Sequence, residues 1–333
     1  MTPTATPVPQ ETPATPTAPG GDATAADPVA PSESTARMLD GTLLRTLHWP
    51  SRGEPWATAL IVHGLGEHAG RYATVAGPLA GAGIDVHGYD HRGFGGSAGP
   101  RAYVDHWSQF HDDLQERLTA LRLQAPDRPL ILYGHSMGGL VAGGYVLADP
   151  PRPLPDLLVL SAPGFDDSLG WWRHALAAAL VAVVPRMRVT NGTAVDGLSH
   201  DPTVRADFDR DPLTQASSTV RFGHEASSEQ ARVRAAIRAI AAMPVPTYVF
   251  HGSADPIVPV AASEPIGTKG NVTRRVHDGL RHETHHEPEH ERVMAEVVAW
   301  LLARRAPGEA IGTSTGAGDA STEASTEATT AGV

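Results

Sequence analysis

The 333-residue chain contains no cysteine, which excludes a disulfide framework, a thiolate nucleophile and any Cys-ligated zinc or iron–sulfur centre. Positive charge is scarce: 26 Lys and Arg stand against 37 Asp and Glu, a net charge of −11 with neutral histidine. Such a field repels phosphate backbones, so nucleic acid is not an expected partner. No apolar run approaches the roughly 18–20 residues that cross a bilayer, and the first residues lack the basic and apolar regions of a signal peptide. The expectation is a cytoplasmic protein without a membrane span. Aromatic residues make up only 5% of the chain. Gly and Pro together supply about 19%, below the roughly 25–30% of low-complexity proteins, so most of the chain should fold. Its length suits about two domains, or one large α/β domain with an insertion.

Both ends read as tails. Residues 1–36 are dominated by Thr, Pro and Ala, and residues 306–333 by Gly, Ala, Ser, Thr and Glu. Neither offers enough apolar area to offset the entropy of ordering, so both are expected to be disordered. Between them, short apolar runs alternate with longer helical patterns, the signature of an α/β protein with a mostly parallel sheet and helices on both faces. Strands are expected at Ala57–His63, Ile84–Gly88, Pro129–Tyr133, Asp156–Leu160, Thr247–His251 and Val272–Val276. Helices are expected at Arg71–Ala82, from about Val104 to Gln124, at Met137–Ala148 and at Glu289–Arg305. Residues 164–242 show no convincing strand and are too long for a connection in a compact domain. They are expected to form a helical cap on a core made of residues 37–163 and 243–305.

The strongest chemical signal is Gly134-His135-Ser136-Met137-Gly138, which follows the apolar run PLILY and opens a helical pattern. In a G-x-S-x-G turn the serine sits on a strained backbone between strand and helix, and the glycines let the two approach closely. Gly95-Gly96-Ser97-Ala98-Gly99 fits the same expression, but it follows a polar stretch and precedes Pro100. Ser97 therefore reads as a loop residue.

A serine alcohol needs a base oriented by an acid, in the chain order serine, acid, histidine. Asp255 lies just past the run TYVFH and His282 just past Val272–Val276, both at the carboxyl edge where open α/β sheets place their sites. His285, His286 and His290 are expected to be solvated surface in the final helix. Oxyanion donors are expected from the backbone N–H of Met137, after the nucleophile, and of Leu65, in the glycine-flanked turn His63-Gly64-Leu65-Gly66.

These blocks resemble a known family. His63–His68, Tyr89–Ser97, Gly134–Gly139, His251–Asp255 and Gly279–Glu287 look like the successive motifs of the monoacylglycerol lipase and lysophospholipase branch of the α/β-hydrolase superfamily. The resemblance runs from about Leu39 to Leu302. It implies an α/β-hydrolase fold with a helical cap and a cofactor-free serine esterase or lipase with a Ser136–His282–Asp255 triad. Asp201-Pro202 and Asp211-Pro212-Leu213 also match family landmarks, without assigned chemistry.

Three alternatives compete. His282-Glu283-Thr284-His285-His286 fits the H-E-x-x-H zinc motif, which needs an unbroken helix through both histidines. Gly64-Leu65-Gly66 after a strand has a weak likeness to a nucleotide-binding turn. A non-catalytic protein on this fold would be expected to have lost a triad position, and all three are filled.

Gly170-Trp171-Trp172-Arg173 precedes the ten apolar residues Ala175–Val184 and then Pro185-Arg186-Met187-Arg188. This stretch fits either a buried cap helix or an acyl-chain lining with transient contact to a membrane surface. The expected substrate is a lipid ester with a single acyl chain.

Overall fold

The computed structural model describes residues 30–166, 178–191 and 195–305. Its main sheet takes in β1 (Ser32–Arg37), β2 (Leu43–Trp49), β3 (Ala57–Val62), β4 (Ile84–Tyr89), β5 (Leu130–His135), β6 (Leu157–Ser161), β9 (Ala242–Gly252) and β10 (Gly270–His277). The strand order is β1-β2-β4-β3-β5-β6-β9-β10, antiparallel between β1, β2 and β4 and parallel from β4 onward.

The alternation of side chains along each strand divides the core in two. Leu60 and Val62 of β3, with Leu130 and Leu132 of β5, pack into one apolar cluster; Ala59, Ile61, Ile131 and Tyr133 pack into the other. The first is closed by α2 (Ser108–Gln124) and α3 (Met137–Val146), through residues such as Phe110, Leu114 and Leu140. The second is closed by α1 (Ala73–Gly81) and α6 (His290–Leu302), through Val75, Leu79, Val293 and Trp300. Cover on both faces explains why β3, β5 and β6 are buried throughout.

The six expected strands are present, with shifted ends, and the main sheet holds two more that the sequence does not announce, β1 and β2. β1 (Ser32–Arg37, SESTAR) corrects the expected extent of the first tail, because residues 32–36, expected to lie within it, form a strand. Polar and largely exposed, it is held by its antiparallel ladder to β2. α2 begins at Ser108, four residues later than expected.

The segment between β6 and β9 is not purely helical. Among its described residues are α4 (Pro202–Arg210) and α5 (Val220–Ala239), together with β7 (Arg188–Thr190) and β8 (Ser217–Thr219), which pair as a small antiparallel sheet. Asp201 caps α4 by accepting from Thr203 N–H at 2.8 Å, and Pro202 occupies the first turn, where its missing N–H costs nothing. Trp171, Trp172 and residues 167–177 lie outside the described residues. Of the apolar stretch that follows, Val183 is 78% exposed.

β4 and β5 flank β3 on opposite sides, and the loops after β3, β5, β9 and β10 meet at the carboxyl edge beside that switch of direction, the edge at which open α/β sheets generally place their sites.

Candidate active site

Ser136 stands between the end of β5 and the start of α3 with φ 52° and ψ −117°, a strained conformation that costs on the order of 1–3 kcal/mol. Close packing enforces it. A Cβ on Gly138 would lie 2.0 Å from the Val62 carbonyl oxygen, and one on Gly134 would lie 2.5 Å from the Gly138 oxygen. Ser136 N–H donates to Ser161 O at 3.0 Å, and its carbonyl accepts from Gly164 N–H at 2.9 Å. The hydroxyl is thereby turned out at the edge of the sheet, partly exposed.

His282 reaches it from the loop after β10. A side chain at Gly252 would put Cβ 2.1 Å from Leu280 O, so the glycine lets that loop close against the end of β9. His282 Nε2 lies 2.9 Å from Ser136 Oγ, and its Nδ1 lies 2.7 Å from Asp255 Oδ2. Asp255 Oδ1 accepts from the N–H groups of Ile257 and Val258 at 2.8 and 3.0 Å. His251, which the sequence reading did not single out, sets its Nε2 3.1 Å from the same Oδ2. Burial pushes the Asp255 carboxyl up, but hydrogen bonds from His251 and His282 outweigh it and hold the group well below the usual carboxylate range. The acid stays ionised and faces two imidazoles.

The turn after β3 lies over the serine. A Cβ on Gly64 would be 3.4 Å from Ser136 Cβ. Gly64 N–H is itself committed to Glu67 Oε1, at 2.6 Å, and to Tyr72 Oη, at 3.2 Å. Among the described residues, Leu65 N–H has no hydrogen-bond acceptor. Met137, first in α3, has no intrahelical acceptor for its N–H. Among the described residues, then, neither expected donor is committed to another acceptor.

Beneath the turn lies a buried charge cluster. Arg71 donates to both oxygens of Glu283 at 2.8 Å and also pairs with Glu67. Burial raises both carboxyls, yet Arg71 outweighs it and holds them below their ordinary range. His286 closes the cluster between Glu283 Oε2, at 2.7 Å, and the Arg71 carbonyl, at 2.9 Å.

The histidine run is thus not the solvated helical surface expected of it. His285 is fully buried, stacked on Tyr72 at 5.1 Å and edge-on to His135 at 4.8 Å. His285 and His286 lie in a short turn, Thr284–His286, and only His290 belongs to α6. Burial and then the neighbouring His282 push His135 down to about 3, so this ring is neutral.

The same geometry weighs on the alternatives. No helix runs through His282 and His285, and both nitrogens of His282 are engaged, so the H-E-x-x-H arrangement is not formed. The buried Glu67 carboxylate against Gly64 N–H sets a negative charge where a pyrophosphate would sit. Ser97 donates to Asp90 O at 2.6 Å and accepts from Arg45 N–H at 2.9 Å, within a loop.

The insertion touches this edge at several points. Gln215 N–H donates to Gly66 O at 2.8 Å. Asp211 Oδ2 lies 2.7 Å from His68 Nε2. The buried Glu287 carboxylate accepts from Arg281 N–H at 2.6 Å and His200 N–H at 2.9 Å. Asp201 and Asp211 thereby acquire structural roles as a helix cap and an anchor.

The model of the family described as serine aminopeptidase, S33, matches residues 53–289. A monoacylglycerol lipase of Mycolicibacterium smegmatis is 32% identical over 247 residues, 71% of this chain and 84% of that one. The human monoglyceride lipase is 30% identical over 259 residues, 74% and 82% of the two chains. Among solved structures, Paleococcus ferrophilus monoacylglycerol lipase superposes with a TM-score of 0.69 at 26% identity, over 78% of this chain and 98% of that one. A soluble variant of Saccharomyces cerevisiae monoglyceride lipase, solved with a substrate analogue, shares the fold with a TM-score of 0.73 at 22% identity, over 82% and 95%.

Proposed function

Because the chain belongs to the serine aminopeptidase S33 family and to the monoacylglycerol lipase branch of the α/β-hydrolases, we propose that it hydrolyses the ester of a monoacylglycerol through Ser136, His282 and Asp255. The observation that carries this reading is the continuous contact from Ser136 Oγ through His282 to Asp255, at 2.9 and 2.7 Å.

His282 takes the proton of Ser136 as the oxygen attacks the ester carbonyl, and the backbone N–H groups of Leu65 and Met137 receive the developing oxyanion. The alcohol leaves with the proton that His282 returns, and an acyl-enzyme remains on Ser136. Water, deprotonated by the same imidazole, then attacks the acyl carbon and frees the fatty acid. Asp255, ionised throughout, holds the Nδ1–H of His282 and favours the imidazolium that forms in each step. The two free N–H groups meet the oxyanion without having to exchange an earlier partner.

The insertion between β6 and β9 serves as the cap over the acyl chain. Val183, Met187 and Val189 are 78, 44 and 50% exposed on it, beside Arg186 and Arg188. Apolar side chains next to arginines suit transient contact with the headgroup layer of a lipid surface. Substrate would be drawn from that surface by an enzyme otherwise in water.

The test is turnover of monoacylglycerols of increasing chain length, with an aminoacyl arylamide as the peptidase control. Cleavage that favours long acyl chains, without arylamide release, is the expected result. A preference for acetyl esters or for the arylamide would overturn the proposed substrate.

A further inference from the structure

Far from the serine, two strands bring three metal-ligating side chains together. β2 and β4 run antiparallel, and His48 stands directly opposite His87 in their register. Directly opposed side chains share a face of the sheet, as do residues two apart on one strand, so His48, His87 and Asp85 project together. The imidazoles are stacked, with centroids 4.4 Å apart and planes 10° apart. His48 Nε2 lies 2.9 Å from Asp85 Oδ1, and His87 Nε2 lies 3.1 Å from Asp85 Oδ2.

We propose that His48, Asp85 and His87 form a zinc(II) site that clips β2 to β4. The three donor atoms lie within 4.8 Å of one another. Zinc needs N and O ligands at about 2.0–2.2 Å, so small side-chain rotations bring all three onto one ion. Two imidazoles and a carboxylate are a donor set that zinc accepts, with water in the fourth position. The side chains of His48, Asp85 and His87 are 37, 21 and 16% exposed, which leaves a path for the ion. Arg117, on α2, acts on His87 with its positive charge and limits the affinity.

Two other groups of suitable donors occur among the described residues, Glu283–His285–His286 and Glu67–His135–Glu283. Both share Glu283, whose two oxygens already accept from Arg71. The β2–β4 group has no such cation bonded to its carboxylate: Asp85 meets the two imidazoles and the Ser51 N–H, at 3.4 Å. It also sits toward the start of β4, at the end opposite the carboxyl edge that carries Ser136. Zinc there acts on stability, because an ion that binds only the folded chain raises its unfolding midpoint.

The experiment is equilibrium dialysis of the full chain against zinc chloride, with the unfolding midpoint measured in parallel and cobalt(II) as a spectroscopic probe. The wild type is expected to bind zinc, to unfold at a higher temperature with it, and to give the intense visible bands of four-coordinate cobalt. His48→Gln/His87→Gln should bind one equivalent fewer, lose the midpoint shift and keep its ester hydrolysis. Asp85→Asn should weaken binding by more than the roughly 10–100-fold expected when a ligand's supporting partner is lost. Unchanged stoichiometry in the double variant, or no zinc bound by the wild type, overturns the proposal. Should the double variant fail to fold, anomalous scattering from zinc-soaked wild-type crystals decides: a peak between His48 and His87 supports the site, and its absence there contradicts it.

Discussion

His251 and His282 converge on one oxygen of Asp255, at 3.1 and 2.7 Å. The second imidazole fixes the acid from below and shares its charge. His251→Leu leaves Oδ2 with His282 as its sole side-chain partner, so the imidazolium forming on His282 faces a less satisfied carboxylate. The loss of one hydrogen bond to a charged group, about 1.5–3 kcal/mol, loosens the carboxylate that orients His282 and should be felt in kcat more than in KM. Steady-state kinetics of the folded variant read this directly. An unchanged kcat would contradict a positioning part for His251.

Gly138 lies tight against the backbone at the end of β3. Its Cβ would meet Val62 O at 2.0 Å and His63 O at 2.6 Å, atoms of a central strand that cannot step aside. Gly138→Ala is expected to destabilise the fold by about 3 kcal/mol or more, at the upper end of overpacking costs. It should also displace the Ser136 turn. Chemical denaturation measures the first effect and acyl-enzyme burst kinetics the second.

Glu67→Gln keeps the shape of the side chain and removes its charge. Arg71 then retains Glu283 but loses one of its two buried carboxylates, and Gly64 N–H meets a weaker acceptor. Arg71 keeps a full counter-charge, so the cost is that of weakened hydrogen bonds to a charged group, about 1.5–3 kcal/mol, and the urea midpoint should fall accordingly. Activity should fall too, since the Gly64 turn carries the Leu65 donor.

Burial pushes several histidines down, His63, His91 and His285 among them, and two more show the size of the acid response. His135 is pushed down to about 3 by burial and His282, and His111 to about 3 by burial, Arg232 and Arg152. Both are neutral in the fold, whereas in the unfolded chain a histidine titrates near 6.5. The unfolded state therefore binds more protons below pH 6.5, and the contribution to stability, complete above that pH, declines from there toward pH 3. At pH 5 each should cost about 2 kcal/mol relative to pH 8. Urea unfolding of the wild type and of His111→Gln at the two pH values should show a shallower decline in the variant.

Much of this was legible in the chain because it is written in local patterns. Strands β3, β5 and β6 are apolar runs bounded by Gly or Ser, and the Ser136 turn announces itself by strand, glycines and helix in sequence. β1 was hidden because SESTAR is polar and exposed and exists only through its ladder with β2. The three-residue strands β7 and β8 are too short for any periodicity to show. His285 and His286 read as surface because polarity is visible in sequence and a buried partner such as Tyr72, Glu283 or Arg71 is not. His251 was findable: it stands four residues before Asp255 at the end of a strand pointing at the same edge.

The central claim is that Ser136, and not Ser97, becomes acylated. Intact-mass and peptide analysis after treatment with a fluorophosphonate probe tests it most directly. A single adduct on Ser136, abolished in Ser136→Ala and in His282→Ala and retained in Ser97→Ala, is the predicted result. An adduct that persists in Ser136→Ala, or that maps to Ser97, would contradict the account.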